Sequence, residues 1–369
     1  MSAPTWPAWL PLRDSLRGLT PYGAPQISSV TRMNTNENPY PPSTSLAREI
    51  SAKVLSIAQE LNRYPDRDAT KLRAGLADYL NQSSSARLTS EQIWAANGSN
   101  EIIQTLFLAF GERGALGFVP SYSMHALIAK VTSTRWVDGR RDSDFSLNQQ
   151  VSLSDIARER PSLTFITTPN NPTGSTVSLE TIEILANATA EVGGLLLVDE
   201  AYAEFSAQPS AITLLAKYPN IVVIRTMSKA FAFAGARIGY LAANQQIVQA
   251  VQLVRLPYHL SQVTQALGLV ALEHKDELLQ NVNKLVAARN QMSQDLLNLG
   301  CKVIPSEANF ILFAVGNSGD VWTSLLDKGI LIRDVGLPGY LRVTVGTEEE
   351  NKRFIQALSI SLPPKGGNP

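Results

Sequence analysis

Four short apolar runs constrain this chain most: "ALGFVP", "LTFITTP", "GGLLLVDEAY" and "NIVVIRT", beginning at Ala115, Leu163, Gly193 and Asn220. Each is too short for a buried helix and apolar at successive positions, which is the pattern of a strand covered on both faces. Helical patterns such as "LETIEILANATAEV" separate them. This alternation predicts an α/β fold built on a large, mostly parallel sheet. In such sheets ligands sit beyond the carboxyl ends of the strands. The polar residues ending these runs therefore matter most: Asn97 to Asn100, Asn170, Asn171, Asp199, Tyr202, Ser228 and Lys229.

The remaining chain fits around that sheet. "STSLAREISAKVLSIAQEL" has helical apolar spacing, with Ser43 or Ser45 as its cap, and "DATKLRAGLADYL" reads as a second capped helix. "IWAANGSN" reads as a strand and turn leading into the apolar helix "EIIQTLFLAF". From Gln262 to Leu299 the pattern is long and helical. The segments "ANFILFAV", "GILIRD" and "YLRVTVG" then read as strands, before a last helix, "TEEENKRFIQALSISL". We expect an irregular N-terminal arm over 1–44, a large α/β domain over 45–265 and a smaller α+β domain over 266–369. The arm is expected to pack against the small domain and a partner subunit. No internal repeat or low-complexity segment interrupts this plan.

Composition removes several function classes. Lysine plus arginine equals aspartate plus glutamate, 32 each, so no global field favours nucleic acid or an anionic membrane. The 369 residues are 44% hydrophobic and 17% charged, an ordinary balance for a chain with a large core. One cysteine, Cys301, rules out an intrachain disulfide. No run approaches the ~18 apolar residues of a membrane span. The start, "MSAPTWPAWLPLRD", lacks the basic and apolar regions of a secretory signal. A cytoplasmic location is the expectation.

Taken singly, the strand-end motifs are weak. "NGSNE" puts backbone N–H groups at a helix start, where a phosphate binds, yet a plain N-cap looks the same. "PNNPTG" fixes a turn that turns two asparagine amides into a cleft. Asp199 ends an apolar strand, where a carboxylate is costly unless paired. Lys229, in "SKAF", offers an amine suited to a Schiff base if partly desolvated. Arg237 follows eight residues later. His125 and His259 have no ligand-spaced partner and read as packing or substrate-side polar groups, so no metal is expected. No Gly-x-Gly-x-x-Gly follows a strand, which argues against a dinucleotide site. Together the set supplies a phosphate cradle, an amide clamp, a buried acid, a tyrosine, a lysine and a second phosphate cation. Pyridoxal 5′-phosphate requires that inventory.

The ordered motifs "NTNENPYPPS", "NRYPD", "NGSNE", "TPNNPTG", "VDEAY", "SKAFAFAGARIGY" and "YLRVTVG" run along essentially the whole chain. In them the chain resembles the fold-type I pyridoxal-phosphate aminotransferases, and within these the histidinol-phosphate aminotransferases. The resemblance implies that Lys229 is the Schiff-base lysine and Asp199 the partner of the pyridine nitrogen. Asn171 and Tyr202 would hold the ring oxygen, and Tyr122 would stack on the ring. Ser99, Asn100, Thr226, Ser228 and Arg237 would hold the cofactor phosphate. Tyr64 is similar to the tyrosine that reaches the neighbouring subunit's cofactor, which implies a homodimer with shared active sites.

On the substrate side, Arg342 matches the arginine that takes an α-carboxylate as a fork. Asn38 lies where the family lines the carboxylate side. Arg333, Tyr258 and Tyr22, the last from a partner's arm, would face the distal group. Some features depart from the family pattern: Asn100 replaces a common aspartate, "DVGLPGYL" is a short link, and "YGAPQ" replaces Tyr-x-Pro-Gly. The implied reaction is ping-pong transamination between L-histidinol phosphate and 2-oxoglutarate, giving imidazole-acetol phosphate and glutamate. An aromatic amino-acid aminotransferase would share every cofactor residue. A pyridoxal-phosphate decarboxylase of a phosphorylated amino acid would share the scaffold. A non-catalytic domain of a regulator would normally carry a basic DNA-binding segment, and none is present.

Overall fold

The computed structural model describes residues 6–362. The first five residues of the expected arm and the last seven of the expected small domain lie outside it. Thirteen strands are described: β1 (Thr31–Arg32), β2 (Ile93–Ala96), β3 (Ala115–Val119), β4 (Trp136–Arg140), β5 (Leu163–Thr167), β6 (Leu195–Asp199), β7 (Ile221–Thr226), β8 (Gly239–Ala243), β9 (Lys302–Val303), β10 (Phe310–Ala314), β11 (Ile330–Leu331), β12 (Arg333–Asp334) and β13 (Tyr340–Thr344). Seven of them form the main sheet in the order β2-β8-β7-β6-β5-β3-β4. Only β8 runs antiparallel to its neighbours. The four apolar runs are β3, β5, β6 and β7, and each pairs in parallel with the next in that row.

The apolar character of these strands follows from burial on both faces. Leu196, Val198, Ile221 and Val223 pack with the helices Thr70–Ser84, Leu179–Glu191 and Gln262–Glu273. Their neighbours in sequence, Leu197, Val222 and Ile224, pack on the opposite face with Ser99–Phe110 and Gln245–Val254. Removing this much apolar surface from water on both faces supplies the main driving force for the layer. A separate core around Met33, Met292, Ile311, Phe313, Val343 and Phe354 lies under a four-stranded sheet ordered β12-β13-β10-β9.

Several local expectations change. The stretch from Gln262 to Leu299 is two helices, Gln262–Glu273 and Lys275–Asn298, interrupted at His274. Ser43 rather than Ser45 caps the first long helix. The helix beginning at Thr70 has no side-chain cap from its flanking residue; instead Asp66 Oδ2 accepts the Thr70 N–H at 2.7 Å. The arm contains one helical turn, Asp14–Arg17. It is anchored on both units: Arg13 donates to the Val131 carbonyl, while β1 pairs in parallel with β11.

Candidate active site

A cavity of about 500 Å³ opens where β5, β6 and β7 end, and the four-stranded sheet closes its other side. Lys229, Asp199, Tyr202, Ser99, Asn100, Tyr122, Asn171, Thr226, Ser228, Arg237, Arg333, Arg342 and Tyr22 all line it. Residues from widely separated motifs thus converge: most end a main-sheet strand or begin the turn after it, Arg333 and Arg342 come from the four-stranded sheet and Tyr22 from the arm.

One end is built for an anion. The helix Ser99–Phe110 starts there, so its first backbone N–H groups have no partner within the helix. Gly98 has φ +84°, and a Cβ added to it would stand 2.6 Å from Arg237 Nη2. Gly239, at the start of β8, leaves no room either: a Cβ there would stand 2.4 Å from the Ser99 nitrogen. Arg237 itself has φ +57°, which turns the chain back after the lysine. The Thr226 and Ser228 hydroxyls complete this end and bond each other at 3.0 Å.

Asp199 lies below, 2% exposed. Its Oδ1 accepts the Ala201 N–H, and its Oδ2 accepts a bond from His125 Nε2, each at 3.1 Å. His125 comes one helical turn after Tyr122 and is fully buried, so sequence reading missed its contact with Asp199. The other histidine, His259, donates from Nε2 to the Ala95 carbonyl at 2.9 Å and stacks on Trp94, away from the cavity. Tyr122 donates its O–H to Asn100 Oδ1 at 3.2 Å, and burial pushes its phenol pKa up.

Lys229 Nζ donates to the Thr35 carbonyl at 2.9 Å. Burial, followed by Arg342 and Arg237, pulls the amine down to about 8. Arg342 donates from Nη1 to Asn171 Oδ1 at 2.5 Å and from Nη2 to the Asn34 carbonyl at 2.8 Å; its Nε is buried with no partner among the described residues. Burial lowers Arg342 to about 10, and Arg333 adds to that shift. The two arginines are direct cross-strand partners in β12 and β13. Like charges set opposite each other are unfavourable, so this wall is poised for an anion.

Three expectations need adjustment. Tyr22 lines the cavity of its own chain, with the Arg333 guanidinium 5.9 Å from its ring centre, because Asn34 ties the arm locally through the Pro25 carbonyl. Asn38 lines a neighbouring hollow; its amide donates to the Ala230 carbonyl and its oxygen accepts the Tyr40 N–H. Asn34 and Asn36 of the same motif reach the cavity in its place. Tyr258 lies outside the cavity, stacked on Tyr64 with ring centres 4.4 Å apart; both are exposed, as a Tyr64 directed at a neighbouring subunit's cofactor would be.

The sequence profile of aminotransferase class I and II matches residues 28–358. The chain belongs to that family. It is 53% identical over 353 residues to a histidinol-phosphate aminotransferase of Mycolicibacterium vanbaalenii, covering 94% of this chain and 95% of that one. A histidinol-phosphate aminotransferase of Frankia casuarinae is 52% identical over 367 residues, covering 97% and 92%. The crystal structure of histidinol-phosphate aminotransferase from Sinorhizobium meliloti, in complex with pyridoxal-5′-phosphate, superposes with a TM-score of 0.80 at 25% identity, covering 90% of each chain. For this aminotransferase the cofactor is therefore pyridoxal phosphate, and the cavity fits it on independent grounds. The glycine-lined helix start with Arg237 suits a phosphate, the buried Asp199 suits a protonated ring nitrogen, and Lys229 stands between them.

Proposed function

We propose that this aminotransferase exchanges the amino group of L-histidinol phosphate with 2-oxoglutarate, yielding imidazole-acetol phosphate and glutamate in histidine biosynthesis. The observation that carries the reading is the pair Arg333 and Arg342, facing each other inside the cavity that holds Lys229. L-histidinol phosphate has no α-carboxylate. Its phosphomonoester hangs from the carbon beside Cα, where an amino acid carries the carboxylate. Two arginines on one wall suit both partners in turn: the dianionic phosphate engages the pair, and the α-carboxylate of glutamate takes the Arg342 fork.

Bound pyridoxal phosphate supplies the electron sink that allows a Cα–H bond to ionise. The chain's residues do the rest. Lys229 Nζ is the atom that carries the cofactor. With its pKa near 8, a useful fraction of free amine is neutral near neutral pH, so it would serve as the base that takes the proton from Cα. Asp199, oriented by His125 and the Ala201 N–H, holds the proton on the ring nitrogen. Tyr122 would wall one ring face, while Asn171 and Tyr202 would donate to the ring oxygen. Ser99, Asn100, Thr226, Ser228 and Arg237 hold the phosphate. Tyr22, Arg333 and Arg342 receive the substrate anion.

The proposal includes a homodimer in the cytoplasm. It keeps the division into 1–44, 45–265 and 266–369, with the first segment as the arm. Exposed Tyr64, Leu253 and Leu256 support a partner at the surface that carries Tyr64 and Tyr258. No helix among the described residues is long and apolar enough to cross a membrane.

The test compares kcat/KM for L-histidinol phosphate and L-phenylalanine with 2-oxoglutarate as acceptor. A preference above ~100-fold is expected, about 2.7 kcal/mol of transition-state discrimination. Arg333→Gln should reduce turnover of histidinol phosphate far more than of phenylalanine. Equal losses would refute phosphate recognition by this wall, and a preference for phenylalanine would reassign the enzyme to aromatic substrates.

A further inference from the structure

Three consecutive residues, Asn34, Thr35 and Asn36, form a strap between the two sheets. Each holds a different functional side chain: the Asn34 carbonyl accepts from Arg342, the Thr35 carbonyl from Lys229, and the Asn36 amide donates to Tyr202. The third contact fixes where one proton can go. Asn36 N–H donates to Thr344 Oγ1 at 3.0 Å. That occupies a lone pair of the hydroxyl, and the Thr344 O–H then donates to Asn36 Oδ1, also at 3.0 Å. With Oδ1 accepting, the other end of the amide must be the NH2 group. It donates to the Tyr202 oxygen at 2.8 Å. The phenol oxygen is thus an acceptor on its buried side, and its own O–H has no acceptor among the described residues. Tyr202 is 4% exposed and lines the cavity, so that O–H is left for a ligand.

We propose that Thr344 and Asn36 are positioning residues that fix Tyr202 as a hydrogen-bond donor into the cavity. The inference rests on the reading of Tyr202 as a donor to the cofactor's ring oxygen. It adds two residues that act through Tyr202: Asn36, which lines the cavity, and Thr344, which stands behind it. Both are well held. Asn36 is 1% exposed, and its carbonyl accepts from Asn309 Nδ2 at 3.1 Å. Thr344 is 4% exposed, and its N–H donates to the Met33 carbonyl at 2.9 Å. Thr344 stands two residues after Arg342 in β13, on the same face of the strand. One strand thereby holds the substrate anion and orients the tyrosine. Burial also raises the Tyr202 pKa, which keeps the phenol protonated and able to donate.

The experiment uses holoenzyme loaded with pyridoxal phosphate, without substrate. The midpoint of its pH-dependent visible absorbance reports the proton shared between the Lys229 linkage and the ring oxygen. A donor to that oxygen favours its anionic form, so losing the donor raises the midpoint. Tyr202→Phe sets the full effect, expected near one pH unit upward for loss of a hydrogen bond to a charged group, order-of-magnitude. Thr344→Val should give at least about half of that rise, and Thr344→Ser, which keeps the hydroxyl, should restore the midpoint. Asn36→Asp should also raise it, because its carboxylate captures the Tyr202 O–H. In a Tyr202→Phe background Thr344→Val should add no shift, and Asn36→Asp should add less than it does with the hydroxyl present, leaving only the effect of its new charge. The charged and titratable groups facing Tyr202 are Arg342, Asp199, Tyr22 and Tyr122; those facing Lys229 are Arg342, Glu37 and Arg237. All of them are unchanged in these variants, and only Asn36→Asp adds a charge.

A Thr344→Val midpoint equal to the wild type, or a Thr344→Val shift that persists without the Tyr202 hydroxyl, would overturn the relay. A Tyr202→Phe midpoint equal to the wild type would overturn the role of Tyr202 itself. Failure of the protein to bind the cofactor would overturn the functional reading above. Far-ultraviolet circular dichroism of each variant without cofactor shows whether it has folded. If Thr344→Val has not, the comparison rests on Asn36→Asp: a shift that is the same with and without the Tyr202 hydroxyl would overturn the relay.

Discussion

Replacing Gly239 by alanine isolates the part of the fold that makes the phosphate cradle. Gly239 begins β8, pairing with Ala96 of β2 on one side and Thr226 of β7 on the other. A Cβ there would stand 2.3 Å from the Gly98 carbonyl carbon and 2.4 Å from the Ser99 nitrogen. Both are backbone atoms, so no side chain can swing aside. A glycine-to-alanine change that fitted would stabilise the chain by about 0.4–1 kcal/mol. Here the clash should reverse the sign, with overpacking costing about 1–3 kcal/mol. Relief requires the start of Ser99–Phe110 to move away from Thr226 and Arg237. Losing one charge-assisted bond to the cofactor phosphate, about 1.5–3 kcal/mol, corresponds to roughly ten- to hundredfold weaker binding. Urea denaturation without cofactor measures the first effect, and an absorbance titration with pyridoxal phosphate measures the second. Gly235→Ala is the control, since a Cβ there meets nothing within 4 Å. Unchanged stability together with cofactor affinity within about twofold of wild type would refute the close-approach argument.

Three further outcomes follow from the geometry. His125→Phe removes the donor to Asp199 Oδ2 and should lower kcat about tenfold or more, given about 1.5–3 kcal/mol for a hydrogen bond to a charge; an unchanged kcat would refute the orienting role. Arg225 sits 3.2 Å from Glu200 and 3.6 Å from Glu204, all three buried, so Arg225→Met should cost about 3–5 kcal/mol in urea denaturation by stranding both acids; Glu200→Gln added to it should recover part of the loss. Lys229 has its folded pKa lowered from 10.5 to about 8, so between those values the unfolded chain binds more protons and stability rises with pH. Without cofactor, the wild type should gain stability relative to Lys229→Met as pH rises from about 8 to about 10.5; a flat difference across that window would refute the shift.

The strands that carry catalysis were legible because burial on both faces makes them uniformly apolar, as in "LLLVD" and "NIVVIRT". β8 was not, because "GYLAA" follows a glycine-containing turn and is mostly small, giving no branched run to mark it. β4 escaped because as an edge strand it carries Trp136, Asp138 and Arg140 among its residues. That Lys229, Asp199 and Arg237 share one cavity could be expected because their motifs order them along the chain. Thr344 and His125 were hidden by contacts that depend on tertiary structure. Each did leave a local trace: Thr344 alternates with Arg342 along one strand face, and His125 follows Tyr122 by one helical turn. Asn38 misled because its neighbour Asn36 has the same chemistry two positions earlier.

The charges around the cavity explain why its parts are spaced as they are. Lys229, Arg237, Arg333 and Arg342 line it, against only Asp199, Glu37 and Asp334. The cations repel one another, which is visible in the lowering of Lys229 by Arg342 and Arg237 and of Arg342 by Arg333. Arg237 belongs to the main sheet's β7–β8 connection, whereas Arg333 and Arg342 belong to the four-stranded sheet, so the positive charge is divided between two ends. An anion at each end relieves that repulsion. A single small anion would satisfy one end and leave the other exposed to its own charge. A phosphorylated cofactor at one end and an anionic substrate at the other satisfy both, and they bring their reactive centres to Lys229 between them. The same division makes the two sheets interdependent. The four-stranded sheet supplies no group to the phosphate cradle, yet through Arg342, Thr344 and the strap at 34–36 it contacts Asn171, Lys229 and Tyr202. Substrate binding and cofactor orientation therefore meet on one wall, which lets an incoming anion act on the groups that govern the proton at Lys229.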